Sequence, residues 1–127
     1  MRLDLLGFVA ATAFLGVGGA LAADPGAAAF RQCSGCHSIG PKATAALAGP
    51  SLAGVVGRPA AALPDFAYSD GMRVAARQHW IWSEGALDLF LTNPRAVIPR
   101  TTMQTPGITD PAERAAVISY LKGSRAR

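Results

Sequence analysis

The segment Cys33–His37, with the sequence CSGCH, holds both cysteines of the 127-residue chain and constrains the fold more than any other feature. A structural zinc site usually has four nitrogen or sulfur ligands, and His79 is the only other histidine. A thioredoxin-like dithiol belongs in a βαβ setting, which the sequence does not indicate. A disulfide between Cys33 and Cys36 would close a very short loop and leave His37 without a role.

The same segment matches C-x-x-C-H, the sequence at which haem c is attached. The two thiols of such a motif add to the vinyl groups of the porphyrin, and the histidine that follows becomes an axial ligand of the iron. We therefore predict that Cys33 and Cys36 bind one haem c covalently and that His37 coordinates its iron.

Residues 1–22 are predicted to form a secretory signal peptide. Arg2 precedes a run without charge from Leu5 to Ala23, and small residues precede the expected cleavage site after Ala22. Asp4 is atypical of such a leader, and a leader that stayed uncleaved would anchor the protein in a membrane. Cleavage would leave a single exported domain, residues 23–127, in the periplasm.

The net charge of +4 comes mostly from scattered arginines. The chain has no dense basic run with interleaved aromatic residues, so a nucleic-acid-binding function is not expected. A mature domain of about one hundred residues has a small core, and exported domains of this size commonly rely on a disulfide, a metal or a cofactor.

Helix-start signals predict four or so short helices, and no run of alternating apolar and polar residues predicts a strand. The predicted helices begin at Asp24-Pro25, at Ser69 or Asp70, at Ser83 and at Asp110, and the last one ends at Gly123. The segment Asp110–Glu113 resembles a capping box. Residues 94–107 contain three prolines and are predicted to form an extended loop. Long loops in so small a domain fit a fold in which a haem forms much of the core.

Electron-transfer haems of the low-spin type have both axial positions filled, and a methionine paired with a histidine raises the reduction potential. Met103 is the best candidate for the second ligand, because it lies in the proline-rich loop, far along the chain from His37. Met72 lies near a predicted helix start and fits packing or a surface position. His79 lies in a polar stretch and fits an exposed imidazole.

Further motifs follow CSGCH along the chain, namely GPSLAGVVGR, FAYSDGM, Trp82, LDLFLTNP, IPRTTM and ISYLK. They stand in the order and approximate spacing seen in class I cytochromes c of the mitochondrial and bacterial soluble type. The sequence therefore resembles this family from Gly26 to Lys122. The resemblance implies an all-α, small cytochrome c fold, with short helices and long loops wrapped around one covalently bound haem.

The resemblance also implies roles for individual residues around the haem. The Pro50 carbonyl would accept a hydrogen bond from the iron-ligating histidine and orient its ring. Arg58, Tyr68 and Trp82 would surround a buried haem propionate, and Thr101 would lie on the same side. The first and last helices would cross at two aromatic residues, Phe30 and Tyr120, with Gly26 permitting their close approach.

The sequence departs from the family pattern at three positions near the proposed methionine ligand. Phe90 stands where many members have a tyrosine whose hydroxyl touches the methionine sulfur. Arg100 stands where glycine is common, so a positive φ there would strain the backbone. Thr102 replaces a frequent lysine, which thins the positive ring around the haem edge. The basic residues that could still form such a ring are Arg31, Lys42, Arg73, Arg95 and Arg100.

These features imply a periplasmic one-electron carrier that makes or breaks no substrate bond and is therefore not an enzyme. Its expected partners are a terminal oxidase, a bc-type complex or a periplasmic dehydrogenase, each docking transiently on a monomer at the haem edge. The alternative is a haem enzyme or gas-binding protein with an open sixth iron position. That alternative follows if Met103 does not bind the iron.

Overall fold

The computed structural model describes residues 22–40 and 47–125. The predicted leader, apart from its last residue, lies outside the described residues, and so does Lys42. Among the described residues, no helix combines the length and apolar character that crossing a lipid bilayer requires.

Five helices form the regular structure of the described residues, and the all-α prediction is confirmed. They are α1 (Pro25–Phe30), α2 (Asp70–Arg77), α3 (Glu84–Thr92), α4 (Pro94–Val97) and α5 (Pro111–Gly123). In the same part of the chain, β-type pairing is limited to one isolated bridge between Pro59 and Ile81. The long stretch from residue 47 to residue 69 contains no helix.

The predicted helix starts coincide with side chains that cap free backbone amides. These caps are Asp24 for α1, Ser69 for α2, Ser83 for α3 and Asp110 for α5. The capping box predicted at α5 does not form. Asp110 Oδ1 accepts a hydrogen bond from Ala112 N at 2.9 Å, whereas Glu113 Oε1 accepts one from Gln32 Nε2 at 2.7 Å. Glu113 therefore ties α5 to the segment that follows α1.

Helix α4 differs from the extended loop predicted for residues 94–107. Asn93 Oδ1 accepts a hydrogen bond from Ala96 N at 3.2 Å, and Pro94 occupies the first helical position. Both are ordinary helix-start signals. The sequence contains both signals. The helix was not predicted because its four residues are too few to show helical periodicity.

Helix α1 passes directly into the cysteine segment. It ends at Phe30, and turns follow through residues 31–36. Cys33 N donates to Phe30 O at 2.8 Å, and His37 N donates to Cys33 O at 2.9 Å. The cysteine segment is therefore held by backbone hydrogen bonds that continue from the helix.

Helices α1 and α5 cross at Gly26. A Cβ atom at this glycine would lie 2.6 Å from Ala116 O and 2.6 Å from Tyr120 Cβ, so only glycine allows the observed approach. The rings of Phe30 and Tyr120 lie beside the crossing, with their centroids 5.5 Å apart. The helix crossing implied by the family resemblance is thus present in the structure.

Helices α3 and α5 are joined by two ion pairs that differ in exposure. Arg114 Nε lies 2.7 Å from Asp88 Oδ1, and its side chain is only 11% exposed. Lys122 Nζ lies 2.5 Å from Glu84 Oε1, and its side chain is 61% exposed. The buried core beneath these helices includes Leu87, Phe90, Leu91, Ile108, Val117, Ile118 and Leu121.

Candidate functional site

An apolar cavity of about 470 Å³ lies inside the molecule, where the cysteine segment, α2, α3, α5 and the loop after α4 meet. Its apolar walls include Leu52, Val55, Leu87, Phe90, Leu91, Ile108, Val117 and Leu121. All of the residues proposed from the sequence for the haem site line it, namely Cys33, Cys36, His37, Pro50, Arg58, Tyr68, Trp82, Thr101 and Met103. The fold therefore brings together residues from five separate parts of the chain.

A second hollow, of about 600 Å³, is more open and lies beside α5, against Asp24, Ile39 and Tyr120. None of the predicted haem-binding residues lines it. The smaller cavity, which has the thiols, the imidazole and the apolar walls, is therefore the candidate site.

The two cysteine thiols are free and lie at one edge of the cavity. Cys33 is half-buried and Cys36 is exposed. Burial raises the pKa of the Cys33 thiol, and the nearby charges of Cys36 and Glu113 act in the same direction. Both thiols are therefore placed to bond a group that fills the cavity, with Cys36 at the solvent side.

The imidazole of His37 is oriented by Gly49 and Pro50, which lie in the described segment that starts at residue 47. Its Nδ1 lies 2.8 Å from Pro50 O. A carbonyl can only accept, so Nδ1 carries the proton and Nε2 is left with a free lone pair. Gly49 N donates to Cys36 O at 2.8 Å and brings Gly49 against the ring. The pKa of His37 is lowered by burial, which the hydrogen bond to Pro50 partly opposes. A neutral imidazole with a fixed tautomer is the form that ligates a metal.

Two methionines line the cavity. Met103 lies in the loop after α4, where its backbone N–H donates to Thr101 Oγ1 at 3.3 Å. Met72 is half-buried in the first turn of α2 and packs against the core. Sequence reasoning placed Met72 in packing or at the surface and missed that it faces the cavity. His79 is exposed and does not line the cavity.

A polar cluster forms another part of the cavity wall. Arg58 donates from Nη2 to Ser51 O at 2.8 Å and from Nη1 to Ala53 O at 3.1 Å, which fixes the guanidinium. Burial lowers the pKa of Arg58. The Tyr68 hydroxyl accepts from Leu63 N at 3.3 Å. A cationic guanidinium with a phenol at the edge of an apolar cavity is suited to hold a carboxylate.

Aromatic rings close the cavity beside this cluster. The buried Trp82 meets Phe90 edge to face, with centroids 5.0 Å apart, and meets Trp80 in the same way at 5.9 Å. Phe90 has no hydroxyl, so the wall that it forms is apolar.

The loop that carries Met103 contains the strain expected if Arg100 replaces a glycine. Arg100 has a φ of +63°, in the left-handed region that favours glycine. Thr101 N donates to Ile98 O at 3.2 Å, which closes a turn around Pro99 and Arg100.

Sequence reasoning missed two glycines that shape the site. A Cβ at Gly49 would collide with the His37 ring, and a Cβ at Gly71 would collide with the backbone of Pro99. Both contacts join residues far apart along the chain. The only sequence signal was the residue type, glycine, which the local pattern explains equally well as a turn or a helix interior.

The residues present fit a haem c. Its flat apolar ring requires apolar walls, its two vinyl groups require two thiols, its iron requires neutral imidazole or thioether donors, and its propionates require cations or hydroxyls. Each of these chemical requirements is met by a residue that lines the same cavity.

Comparison with known proteins agrees with this reading of the cavity. The family model "Cytochrome c" matches residues 23–125. A cytochrome c2 from Afifella marina is 41% identical over 93 residues, covering 73% of this chain and 74% of that protein. A cytochrome c2 from Rhodomicrobium vannielii is 42% identical over 102 residues, covering 79% of this chain and 78% of that protein.

The solved structure of cytochrome cH from Methylobacterium extorquens has a TM-score of 0.67 and 33% identity to this chain, covering 77% of it and 94% of that structure. These matches confirm the small cytochrome c fold and the covalently bound haem c with its iron that were predicted from the sequence. The chain belongs to the cytochrome c family.

Proposed function

We propose that the protein is a periplasmic one-electron carrier in which Cys33 and Cys36 hold haem c, and His37 and Met103 ligate its iron. The observation that carries this proposal is the convergence of both thiols, the oriented imidazole and the thioether on one apolar cavity. The relatives named cytochrome c2 support the same general role.

Haem c, when bound, supplies an iron that gains or loses one electron. The protein must hold the surroundings of that iron nearly unchanged when its charge changes. His37 is fixed by the Pro50 carbonyl, and Met103 is tied by its backbone to Thr101. The apolar walls around Phe90 and Leu91 exclude water, which would otherwise reorient with each electron.

Arg58, Tyr68, Trp82 and Thr101 are proposed to surround the propionates. Arg58 already donates to two backbone carbonyls, so its remaining donors are held in a fixed direction. A fixed cation holds a carboxylate ionised more effectively than a mobile one, because no side-chain freedom is lost on pairing.

Met103 is preferred over Met72 as the second ligand. Met103 lies in the irregular loop after α4, far along the chain from His37, whereas Met72 lies in the first turn of α2, which is capped by Ser69. The single variants Met103→Ala and Met72→Ala distinguish between the two candidate ligands.

Redox partners are proposed to dock where the cavity opens to solvent near the exposed Cys36. A terminal oxidase, a bc-type complex and a periplasmic dehydrogenase all have the chemistry to exchange one electron there. Arg31, Arg95 and Arg100 are exposed, and their positive charge favours a partner that has an acidic docking surface. The encounter is expected to be small and transient, with a monomer of this protein.

The periplasmic location rests on the sequence of residues 1–22. Cleavage after Ala22 would release a chain that begins at Ala23, one residue before Asp24, the cap of α1. N-terminal sequencing of the exported protein should begin at Ala23. An intact Met1 terminus in a membrane fraction would instead indicate an anchored carrier.

The test of the whole proposal is spectroscopic and uses the haem-loaded protein. The ferric protein should show the weak sulfur-to-iron charge-transfer band, and the ferrous protein should bind carbon monoxide very slowly. Met103→Ala should remove the band and bind carbon monoxide rapidly, while Met72→Ala should keep the band.

Rapid carbon monoxide binding by the unmodified protein would favour an enzyme or gas-binding protein with an open iron position. Loss of the band in Met72→Ala alone would reassign the ligand to Met72. The double variant Cys33→Ala with Cys36→Ala should lose its haem in denaturing electrophoresis. Retention of the haem by that variant would contradict covalent attachment.

A further inference from the structure

The turn before Met103 presses its backbone against Gly71 in the first turn of α2. A Cβ atom at Gly71 would lie 2.1 Å from Pro99 O and 3.0 Å from both Arg100 C and Thr101 N. Gly71 is buried. No side chain larger than hydrogen is compatible with this approach, which joins α2 to the loop that carries the proposed iron ligand.

The turn itself is of type II. Its hydrogen bond runs from Thr101 N to Ile98 O at 3.2 Å, so Pro99 and Arg100 are its central residues. Arg100 has a φ of +63°, and the proline ring holds φ negative at the preceding position. A negative φ followed by a positive φ defines type II, which normally has glycine at the second position.

Types I and II differ by a flip of the central peptide, here the peptide between Pro99 and Arg100. In the type I form Arg100 would return to a negative φ, which an arginine prefers. The observed form instead directs the Pro99 carbonyl oxygen at Gly71, in the positive first turn of α2, where a partial negative charge is stabilised. The carbonyl can lie there because Gly71 has no side chain to collide with it.

We propose that Gly71 is a positioning residue for Met103, because its lack of a side chain leaves room for the Pro99 carbonyl and so keeps the strained turn at Arg100 in its type II form. This inference rests on the proposed ligation by Met103. It adds that the side chain at residue 71 decides the turn form and how firmly the loop closes on the iron.

This geometry predicts how substitutions at Gly71 and Arg100 affect each other's influence on loop closure. With Gly71 present, Arg100→Gly removes the strain of the left-handed residue and should tighten the loop. With Gly71→Ala, the carbonyl is displaced and the turn flips to type I, where Arg100 is unstrained. Arg100→Gly should then no longer tighten the loop, and the two substitutions should be strongly non-additive.

The test is a double-mutant cycle on the haem-loaded protein, with Gly85→Ala as the control. Gly85 is an exposed glycine within α3, and a Cβ there would meet nothing within 4 Å. Loop opening is measured as the apparent affinity of the ferric protein for added imidazole. The turn form is measured by the nuclear Overhauser effect between Pro99 Hα and Arg100 HN, which is strong in type II and weak in type I.

Relative to the unmodified protein, Gly71→Ala should raise the imidazole affinity about tenfold and weaken the Overhauser effect. Arg100→Gly should lower the affinity about fivefold and keep the effect strong. In the Gly71→Ala background, Arg100→Gly should lower the affinity less than twofold. The control Gly85→Ala should change neither measurement.

A strong Overhauser effect and an unchanged affinity in Gly71→Ala would overturn the positioning role. Equal effects of Arg100→Gly in both backgrounds would overturn the coupling. If no methionine fills the sixth iron position, the unmodified protein itself would bind imidazole tightly, and if Met72 is the ligand, Met72→Ala would lose the charge-transfer band. The Overhauser effects would still report whether Gly71 sets the turn, so failure of the proposed function is distinguishable from failure of this inference.

Discussion

The imidazole of His37 lies so close to Gly49 that a Cβ atom at Gly49 would stand 2.3 Å from the ring Cε1 and 2.6 Å from Nδ1. The next residue, Pro50, supplies the carbonyl that accepts the Nδ1 proton. Two consecutive residues therefore set both the position and the tautomer of the ring. Glycine is required at residue 49 for space.

The substitution Gly49→Ala should displace the imidazole and break its hydrogen bond to Pro50. We expect the free energy of unfolding to fall by about 2 kcal/mol or more, from overpacking and a lost hydrogen bond. Guanidinium unfolding of the haem-loaded protein measures this change. Gly85→Ala, in open space on α3, is the matched control and should be neutral or slightly stabilising. Equal stability of the two variants would contradict the contact.

The crossing of α1 and α5 should be equally intolerant of a methyl group, without involving the haem ligands. Gly26→Ala places Cβ 2.6 Å from Ala116 O and should destabilise the protein by about 1–3 kcal/mol. The reduction potential should stay nearly constant, because Gly26 does not line the cavity. Gly123→Ala, at the exposed end of α5, is the control. A large shift in potential would show that the crossing also controls the site.

Arg58 is expected to act through both its charge and its forked shape. Arg58→Lys keeps the charge but cannot bond both Ser51 O and Ala53 O, and should cost about 1.5 kcal/mol of stability. Arg58→Met also removes the charge that holds the proposed propionate ionised. The reduction potential of this variant should therefore depend on pH between about pH 5 and pH 8, because the propionate pKa rises into that range.

Voltammetry as a function of pH separates the two contributions of Arg58. The lysine variant should keep a potential that is flat over this range, whereas the methionine variant should show a slope. A flat potential in the methionine variant would mean that Arg58 only braces the backbone.

The two ion pairs between α3 and α5 predict unequal costs of removal. Arg114 is mostly buried and also donates from Nη1 to Ile108 O at 2.9 Å and Thr109 O at 3.1 Å. Arg114→Ala should therefore cost about 2 kcal/mol, and Lys122→Ala less than about 0.5 kcal/mol. Denaturant unfolding in low and high salt provides the measurement. A similar cost for both would show that burial of Arg114 contributes little.

The helix starts and the haem-binding chemistry were readable from the sequence because both depend on neighbouring residues. The caps at Asp24, Ser83 and Asp110 were predicted within one turn of their helices and are confirmed. The CSGCH segment is similarly local, and the haem c that it predicted is confirmed by the family.

The family resemblance implied two contacts between distant residues, the helix crossing at Gly26 and the hydrogen bond from His37 to Pro50, but other long-range contacts were not predicted. Glu113 had the spacing of a capping box, yet its side chain accepts a hydrogen bond from Gln32, a partner 81 positions away along the chain. Met72 was assigned to packing or to the surface, because a single sequence does not reveal which face of α2 meets the cavity. Gly49 and Gly71 were seen as turn or helix residues, since their partners lie 12 and 28 positions away along the chain. The detailed shape of the site therefore depends on contacts between residues far apart in the sequence, which the motifs did not indicate.

Trp80 and Trp82 are in contact, and their fluorescence can report on the cavity wall. These are the only tryptophans in the chain, and one of them forms part of the cavity wall. With haem c bound, energy transfer should quench their fluorescence, and emission should appear only when this part of the wall moves away. The crossing of α1 and α5 contains Phe30 and Tyr120 instead. Emission thus records opening of the cavity, while circular dichroism records loss of the helices, and a delay between the two signals would resolve unfolding into stages.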